Sequence, residues 1–413
     1  MSAREERVIR FTTAGESHGK GLVAILEGIP AGLPLVVDDV NRDLRRRMQG
    51  YGRGARMKIE ADAVEFISGV RAGETLGSPI ALHIANKDWD NWVDVMASEP
   101  DTDPDARRRR RLVRPRPGHA DLVGVLKYDR ADARDILERA SARETAARVA
   151  CGAVCRKLLS HFDVEIGSHV VALGSVSANV PDPLPTPLND AADRSPTRCL
   201  DQQATEAMIR EIDAAKKDGD TLGGIVEVIA RGVVVGLGSH VSWDRKLDGR
   251  LAAALMSIPA AKGVEIGLGF EVARRRGSEA HDEIGWDGPA SSGGVLRSSN
   301  RAGGVEGGIT TGQPLVMRVA KKPISTLMRP LDTINIETGE TAKAQSERSD
   351  VTAVPAIGVI AEAMVAIVLA DAMLEKFGGD TLGDLRQAYD AYLRRLKRRW
   401  DELRGVGGAG GAE

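Results

Sequence analysis

The segment that most constrains this 413-residue chain is the run from Val354 to Leu369, apolar but for a single carboxylate, Glu362, with Asp371 just beyond it. Crossing a bilayer takes about 20 consecutive, mostly apolar residues. A shorter run with an acid at its centre is instead read as a buried core helix, here over 355–377. A composition that is 42% hydrophobic supplies the core for such a helix and makes disorder over most of the chain untenable.

Short apolar runs at 8–11, 22–26, 64–67, 80–84 and 225–229, each bounded by Gly, Pro or charge, read as strands. Helical spacing is clearest over 142–159, where Ala146, Val149, Ala150, Ala153 and Val154 recur on one face. Further helices are expected at 40–48, 205–217, 247–257 and 382–403. Strands and helices are interspersed without one-to-one alternation, so the fold class is α+β rather than a doubly wound parallel sheet. One domain is expected over 1–404, with Pro- and charge-rich surface insertions near 94–117 and 174–200 and a disordered glycine-rich tail over 405–413. A Gly-Asp/Glu-Thr-Leu-Gly pentapeptide recurs at 73–77, 219–223 and 379–383, which reads as repeated turn-and-cap chemistry.

Lys plus Arg (57) nearly balances Asp plus Glu (59), and aromatic residues make up only 3%. That composition argues against a nucleic-acid surface. Cys151, Cys155 and Cys199 make no fully paired disulfide set, and the charged N-terminus has no secretory h-region, so a reducing cytoplasm is expected and no membrane. The tail's Gly405, Gly407 and Gly410 match a dinucleotide-loop spacing, but no strand precedes them and no helix can follow. No Walker A pattern occurs, and His and Cys fall at no zinc spacing, so no metal site is expected.

Against this neutral background stand local arginine clusters. One comprises Arg45, Arg46, Arg47, Arg53 and Arg56 with Lys58; a second is the 107–111 run with Arg114 and Arg116; a third is Arg139 with Arg143. Most of the 107–111 run, which follows acidic residues, reads as a solvated face. Arginines among glycines, as at Gly52-Arg53-Gly54, instead let backbone and guanidinium meet a ligand together, and their forked geometry suits carboxylate and phosphate. A small polyanion is the expected partner. His18 and His119 lie in polar, glycine-bearing loops, where an imidazole is the default acid near neutral pH. His83, His161, His169, His240 and His281 have weaker contexts and are assigned no role. Ser141, with Glu144 three residues on, is also a good helix cap.

The ordered set Thr-Ala-Gly-Glu-Ser-His-Gly at 13–19, Arg-Pro-Gly-His-Ala-Asp at 116–121 with Lys127 and Tyr128, and Arg-Ala-Ser-Ala-Arg-Glu-Thr at 139–145 resembles the chorismate synthase family. Further matching segments lie at 218–224, 262–267, 300–308, 322–326 and 348–350. The resemblance implies a layered sandwich of antiparallel sheets packed around helices, assembled as a homotetramer. It implies an anti 1,4-elimination of phosphate from 5-enolpyruvylshikimate 3-phosphate, giving chorismate, with reduced FMN and no net redox change. By the same resemblance His18 protonates the departing phosphate, His119 protonates or stabilises the reduced flavin, and Asp350 relays the substrate proton through flavin N5. Ser17 and Ser141 orient these groups. Arg47, Arg53, Arg116 and Arg143 become ligands for anions of the substrate or of NADP. Arg139, Ala140, Ser141, Pro259, Ala260, Gly307, Lys322, Pro323, Ile324, Ser325, Thr326 and Arg348 become FMN contacts.

Two departures stand out. Pro259, before Ala260, replaces the family's usual Asn or Gln and removes an amide donor, and Leu268 interrupts a common Gly-Asp-Gly-Phe run. The short insertions point to a separate flavin reductase, with NADPH acting only through flavin reduction. Two other classes fit the residues less well. An anion-binding regulator that had lost catalysis does not explain the joint retention of His18, His119 and Asp350, and an FMN reductase needs a nicotinamide site that is not found.

Overall fold

The computed structural model describes residues 8–54, 62–100, 110–286, 288, 292–346 and 349–403. Strands β1 (Arg10–Ala14), β2 (Gly21–Glu27), β3 (Val64–Ser68) and β4 (Ile80–Ala85) form an antiparallel sheet in the order β1-β2-β4-β3. Strands β5 (Glu165–Leu173), β6 (Val176–Ser177), β7 (Gly224–Arg231), β8 (Ala261–Ile266) and β9 (Leu315–Lys321) form a second, ordered β8-β9-β7-β5-β6, also antiparallel. The principal helices are α1 (Val37–Met48), α2 (Asp121–Tyr128), α3 (Arg134–Ala140), α4 (Glu144–Ser160), α5 (Gln202–Asp218), α6 (Leu247–Met256), α7 (Val354–Phe377) and α8 (Leu382–Leu403).

Strand alternation sets the layers. Leu22, Ala24 and Leu26 of β2 face the core, as do Leu315, Met317 and Val319 of β9. The first sheet rests on α1 and α4, α4 rests on α7, and α7 rests on β5 and β7 of the second sheet. Helices therefore lie between two antiparallel sheets, the α+β sandwich the sequence implied. Gly152 of α4 makes the central contact possible: a Cβ there would lie 2.3 Å from the Cβ of Ala363 on α7. By length and composition α7 could cross a membrane, yet its apolar window is entirely buried inside the protein.

Glu362, at 0% exposure in α7, is the centre of a buried ionic cluster. Arg46 grips it with two bonds of 2.8 and 3.0 Å, Arg156 donates at 2.7 Å and Arg198 at 3.1 Å. Ser168 and Asn189 add bonds of 2.5 and 3.2 Å. Asp43 and Asp193 balance the remaining positive charge through Arg156, Arg46 and Arg198. Burial opposes ionisation of Glu362, but the three guanidinium groups outweigh it and hold the carboxyl far below its usual range.

This cluster corrects one expectation. The 174–200 segment is not simply a surface insertion, because Leu188, Ala192, Thr197, Arg198 and Cys199 are buried and Asn189 and Arg198 reach Glu362. In the 94–117 segment Leu112 and Arg116 are likewise buried. Strands β5, β8 and β9 occupy sequence that the short apolar runs had left unmarked. Each copy of the repeated pentapeptide sits at a turn or helix end: Gly73 lies in the turn of a tight hairpin and Gly77 just after it, Gly219 closes α5, and Thr381 caps α8 by bonding Asp384. The tail at 405–413 lies outside the described residues.

Candidate active site

His18 follows β1 in a loop held against the end of α3. Its backbone N–H donates to Glu138 Oε2 at 2.9 Å, and its Nδ1 lies 2.7 Å from Oε2 and 3.0 Å from Oε1. Arg134, one turn earlier on α3, donates to Oε1 at 2.9 Å. Burial favours the neutral acid at Glu138, but hydrogen bonds and charge from His18 and Arg134 prevail and lower its pKa. The Trp92 ring stacks on the imidazole with centroids 3.8 Å apart. Ser17 N–H donates to the Glu138 carbonyl at 2.9 Å, and Ser141 Oγ donates to Ser17 Oγ at 3.1 Å. Helix α4 starts at Glu144, and the Ser141 hydroxyl approaches only the Arg143 N–H, at 3.4 Å, so its main engagement is with Ser17 rather than as a cap. Arg139 donates to Thr13 O and Oγ1, both at 2.8 Å, and to Gly15 O at 3.3 Å, bracing the same loop; Ala140 ends α3.

His119 has a parallel arrangement. Its Nδ1 is 2.6 Å from Asp121 Oδ1, and Arg116 binds Asp121 through its backbone N–H (3.1 Å), Nε (2.8 Å) and Nη2 (3.1 Å). Burial raises the Asp121 pKa, but bonds from His119 and Arg116 bring it well below the usual carboxylate range. Arg116 Nη1 also donates to Thr326 Oγ1 at 2.8 Å, tying this loop to 322–326. There Ser325 Oγ donates to Gly118 O at 3.0 Å, and Lys322 Nζ also donates to that carbonyl. Pro323 is exposed, and Ile324 O accepts from Thr221 Oγ1 at 2.7 Å.

The remaining arginines gather on carboxylates. Arg47 and Arg143 share buried Asp62, at 3.4 and 3.2 Å, and Arg47 also reaches Thr145 Oγ1 (3.0 Å) and Ala142 O (2.8 Å) at the start of α4. Arg53 pairs with Asp350 at 3.2 Å, while Gly54 N–H donates to the other oxygen of Asp350 at 2.6 Å. Arg45 is exposed and Arg46 belongs to the core cluster, so three consecutive arginines have three different fates. Arg348, Arg56, Lys58 and Arg107 to Arg109 lie outside the described residues. Arg110 packs over Trp92 at 4.3 Å and Arg111 bonds the Ala131 carbonyl at 2.9 Å, so these two hold structure rather than a purely solvated face.

At the Pro259 departure, Ala261 N–H donates to Ile258 O at 3.0 Å and Ala260 has φ +70°. This is the pattern of a type II turn, whose second position favours proline. The Ala260 carbonyl is taken by Lys322 N–H at 3.0 Å. Gly307 turns the small hairpin between Val305–Glu306 and Ile309–Thr310, and among the described residues no side-chain bond joins it to the histidine loops.

Glu138, Arg134, Asp62 and Trp92 were not singled out from the sequence, and Asp121 was quoted in a motif without a role. Lys321 was missed as well. It ends β9 on the face of Leu315, Met317 and Val319, is 7% exposed, and donates to Lys322 O at 3.0 Å, with no carboxylate at ion-pair distance among the described residues. Burial, with Arg53 and Lys322 nearby, pulls this ammonium down to about 8 against the pull of Asp350. The only signal for it in the sequence was a cation at the core-facing register of an alternating strand. Among the described residues no group of His, Cys, Asp and Glu is placed to hold a metal ion.

The sequence profile of the chorismate synthase family matches residues 9–374. A chorismate synthase of Acidothermus cellulolyticus is 58% identical over 94% of this chain and 99% of its own length. One from Aquifex aeolicus is 55% identical over 95% and 99%. A crystal structure of chorismate synthase superposes with a TM-score of 0.75 at 46% identity, covering 94% of this chain and 98% of that one.

Proposed function

The chain belongs to the chorismate synthase family, lyases of the shikimate pathway, and on that premise we propose that His18, His119 and Asp350 carry the anti 1,4-elimination of phosphate from 5-enolpyruvylshikimate 3-phosphate. The observation that carries this assignment is that each histidine has Nδ1 fastened to a buried, ionised carboxylate, which turns Nε2 outward for proton exchange. His18 Nε2 gives its proton to the departing phosphate. Asp350, paired with Arg53 at 3.2 Å, takes the proton the ring loses. Arg47, Arg53, Arg116 and Arg143 hold the substrate's carboxylates and phosphate, with Ser17 and Ser141 orienting His18.

The donors fit reduced FMN as the cofactor: Lys322, Ser325, Thr326 and Arg139 offer cationic and hydroxyl donors, and Lys321 is a buried ammonium without a carboxylate partner among the described residues. Pro323, Ile324, Ala140, Ala260, Pro259, Gly307 and Arg348 are the other residues assigned to this group. When bound, reduced FMN supplies the electron density that eases phosphate departure and ends each turnover still reduced. His119 holds a proton or positive charge towards it, its ring oriented by Asp121.

NADPH acts only through flavin reduction, by a separate reductase. A homotetramer would cover such exposed apolar side chains as Val241, Trp243, Phe270 and Ile284, and the three free, buried cysteines suit a cytoplasmic setting. The test is anaerobic turnover with chemically reduced FMN. Chorismate and inorganic phosphate should appear in equal amounts over many turnovers per reduction, with none formed on oxidised FMN. Consumption of one reduced flavin per product would refute a redox-neutral elimination.

A further inference from the structure

The side chain of Glu138 is 1% exposed and surrounded by donors: Oε2 accepts from the His18 backbone N–H, Oε1 accepts from Arg134 Nη1, and His18 Nδ1 lies within 3.0 Å of both oxygens. An ionised carboxylate can only accept, so Nδ1 must carry the hydrogen and Nε2 must face away from α3. Rotation of the ring is blocked on one face by Trp92, stacked at 3.8 Å. Trp92 is itself fixed: its Nε1 donates to Asp88 Oδ2 at 2.9 Å, and the guanidinium groups of Arg110 and Arg134 lie 4.3 and 5.1 Å from its ring centroid. Glu138 thus ties the loop backbone at His18, pairs with Arg134, and sets the tautomer and direction of one imidazole.

We infer that Glu138, clamped by Arg134, is a positioning residue for the elimination: it keeps a hydrogen on His18 Nδ1, so that in the imidazolium the proton given up is the one on Nε2, facing the substrate, and the ring left behind is the Nδ1–H tautomer. The inference rests on the acid role proposed for His18. In Glu138→Gln the single amide oxygen cannot serve all three donors, and the charged guanidinium of Arg134 claims it. The NH2 then opposes the His18 backbone N–H, whose bond is lost, and meets Nδ1, which becomes an acceptor while the hydrogen moves to Nε2. His18 acquires the other neutral tautomer and loses the carboxylate that faces its imidazolium.

The experiment is ring-nitrogen NMR of the full-length chain labelled with 15N-histidine, recorded with reduced FMN bound at alkaline pH, with His18→Asn used for assignment. Alongside it, kcat, KM and FMN affinity are measured for Glu138→Gln and Glu138→Asp. The expected result is Nδ1–H in the parent and in Glu138→Asp, and Nε2–H in Glu138→Gln. In Glu138→Gln kcat should fall by about 10²–10⁴, the scale of losing the orienting partner of a catalytic histidine, with KM and FMN affinity changed less than about threefold; Glu138→Asp should recover part of kcat. An unchanged tautomer in Glu138→Gln, or a loss of kcat matched by equal losses in both affinities, would overturn the positioning role. Should Glu138→Gln fail to fold, a parent ring already in the Nε2–H form, or a Glu138→Asp ring that leaves Nδ1–H, would do so too. Normal turnover in His18→Ala would remove the acid role itself and leave the tautomer result standing independently.

Discussion

Replacing Glu362 with Gln removes one carboxylate from a site where Arg46, Arg156 and Arg198 converge, leaving Asp43 and Asp193 to face three buried guanidinium groups. The new amide NH2 would point at N–H donors that now meet an oxygen. Breaking a buried ion pair by removing one partner costs about 3–5 kcal/mol. At about 2.1 cal/mol/K of unfolding entropy per residue, a chain of 413 residues should lose about 3–6 °C in Tm. Calorimetry of Glu362→Gln beside Glu206→Gln, an exposed control on α5 expected to stay within about 0.5 kcal/mol, measures the difference. A double-mutant cycle with Arg46→Met should give a coupling of about 0.5–3 kcal/mol, since removing one cation with the anion restores local neutrality. The pH dependence has a definite sign. Glu362 has a folded pKa held far below its unfolded value of about 4.3, so its contribution is complete above that value and is lost as pH falls below it. Glu362→Gln should therefore show a flatter acid limb of stability than the parent. Equal Tm in the two Gln variants would mean that the cluster is not the electrostatic unit described.

Lys321→Met should stabilise the free protein while weakening FMN binding, since the ammonium is buried at a cost in the absence of an anion. Its folded pKa of about 8 lies below the unfolded value of about 10.4, so the stability gain should be full below pH 8 and vanish above pH 10.4, as denaturant titrations at pH 7 and 11 would show. His18→Ala and His119→Ala should each lower kcat by roughly 10²-fold or more with smaller changes in substrate and FMN affinity; near-normal turnover would return that histidine to a structural role. Asp350→Asn keeps an acceptor for Gly54 N–H and should retain both ligands in equilibrium binding while turnover collapses, whereas brisk turnover would remove Asp350 from the proton path.

The sequence was informative wherever the governing interactions were local. Helix α7 was read as buried because Glu362 interrupts an apolar run, and the observed helix, Val354–Phe377, differs from the expected 355–377 by one residue. The loops bearing His18 and His119 were legible because glycine, histidine and arginine occur there in tight, chemically suggestive spacing. The partners of those groups were not. Glu138 lies 120 residues from His18 and Arg46 lies 316 from Glu362, and no periodicity links such positions. The 174–200 segment misled for the same reason. Its Pro and Asp content describes its backbone well, but Arg198 and Asn189 take their meaning from an acid on α7.

Arg46 and Arg47 show how the core and the candidate site are joined. Successive residues on a helix point about 100° apart, so when Glu362 holds Arg46 with two bonds, the rotation of α1 is fixed and Arg47 is delivered to Asp62, Thr145 and Ala142. The site is then basic without being a basic surface. Arg53 is matched by Asp350, Arg116 by Asp121 and Arg134 by Glu138, whereas Arg47 and Arg143 share one carboxylate, Asp62, and Lys321 faces none at ion-pair distance among the described residues. Lys321 thus leaves positive charge that a polyanion can meet inside a chain of net charge −2. Loosening Arg46 should therefore weaken substrate binding through Arg47, although Arg46 itself lies in the core.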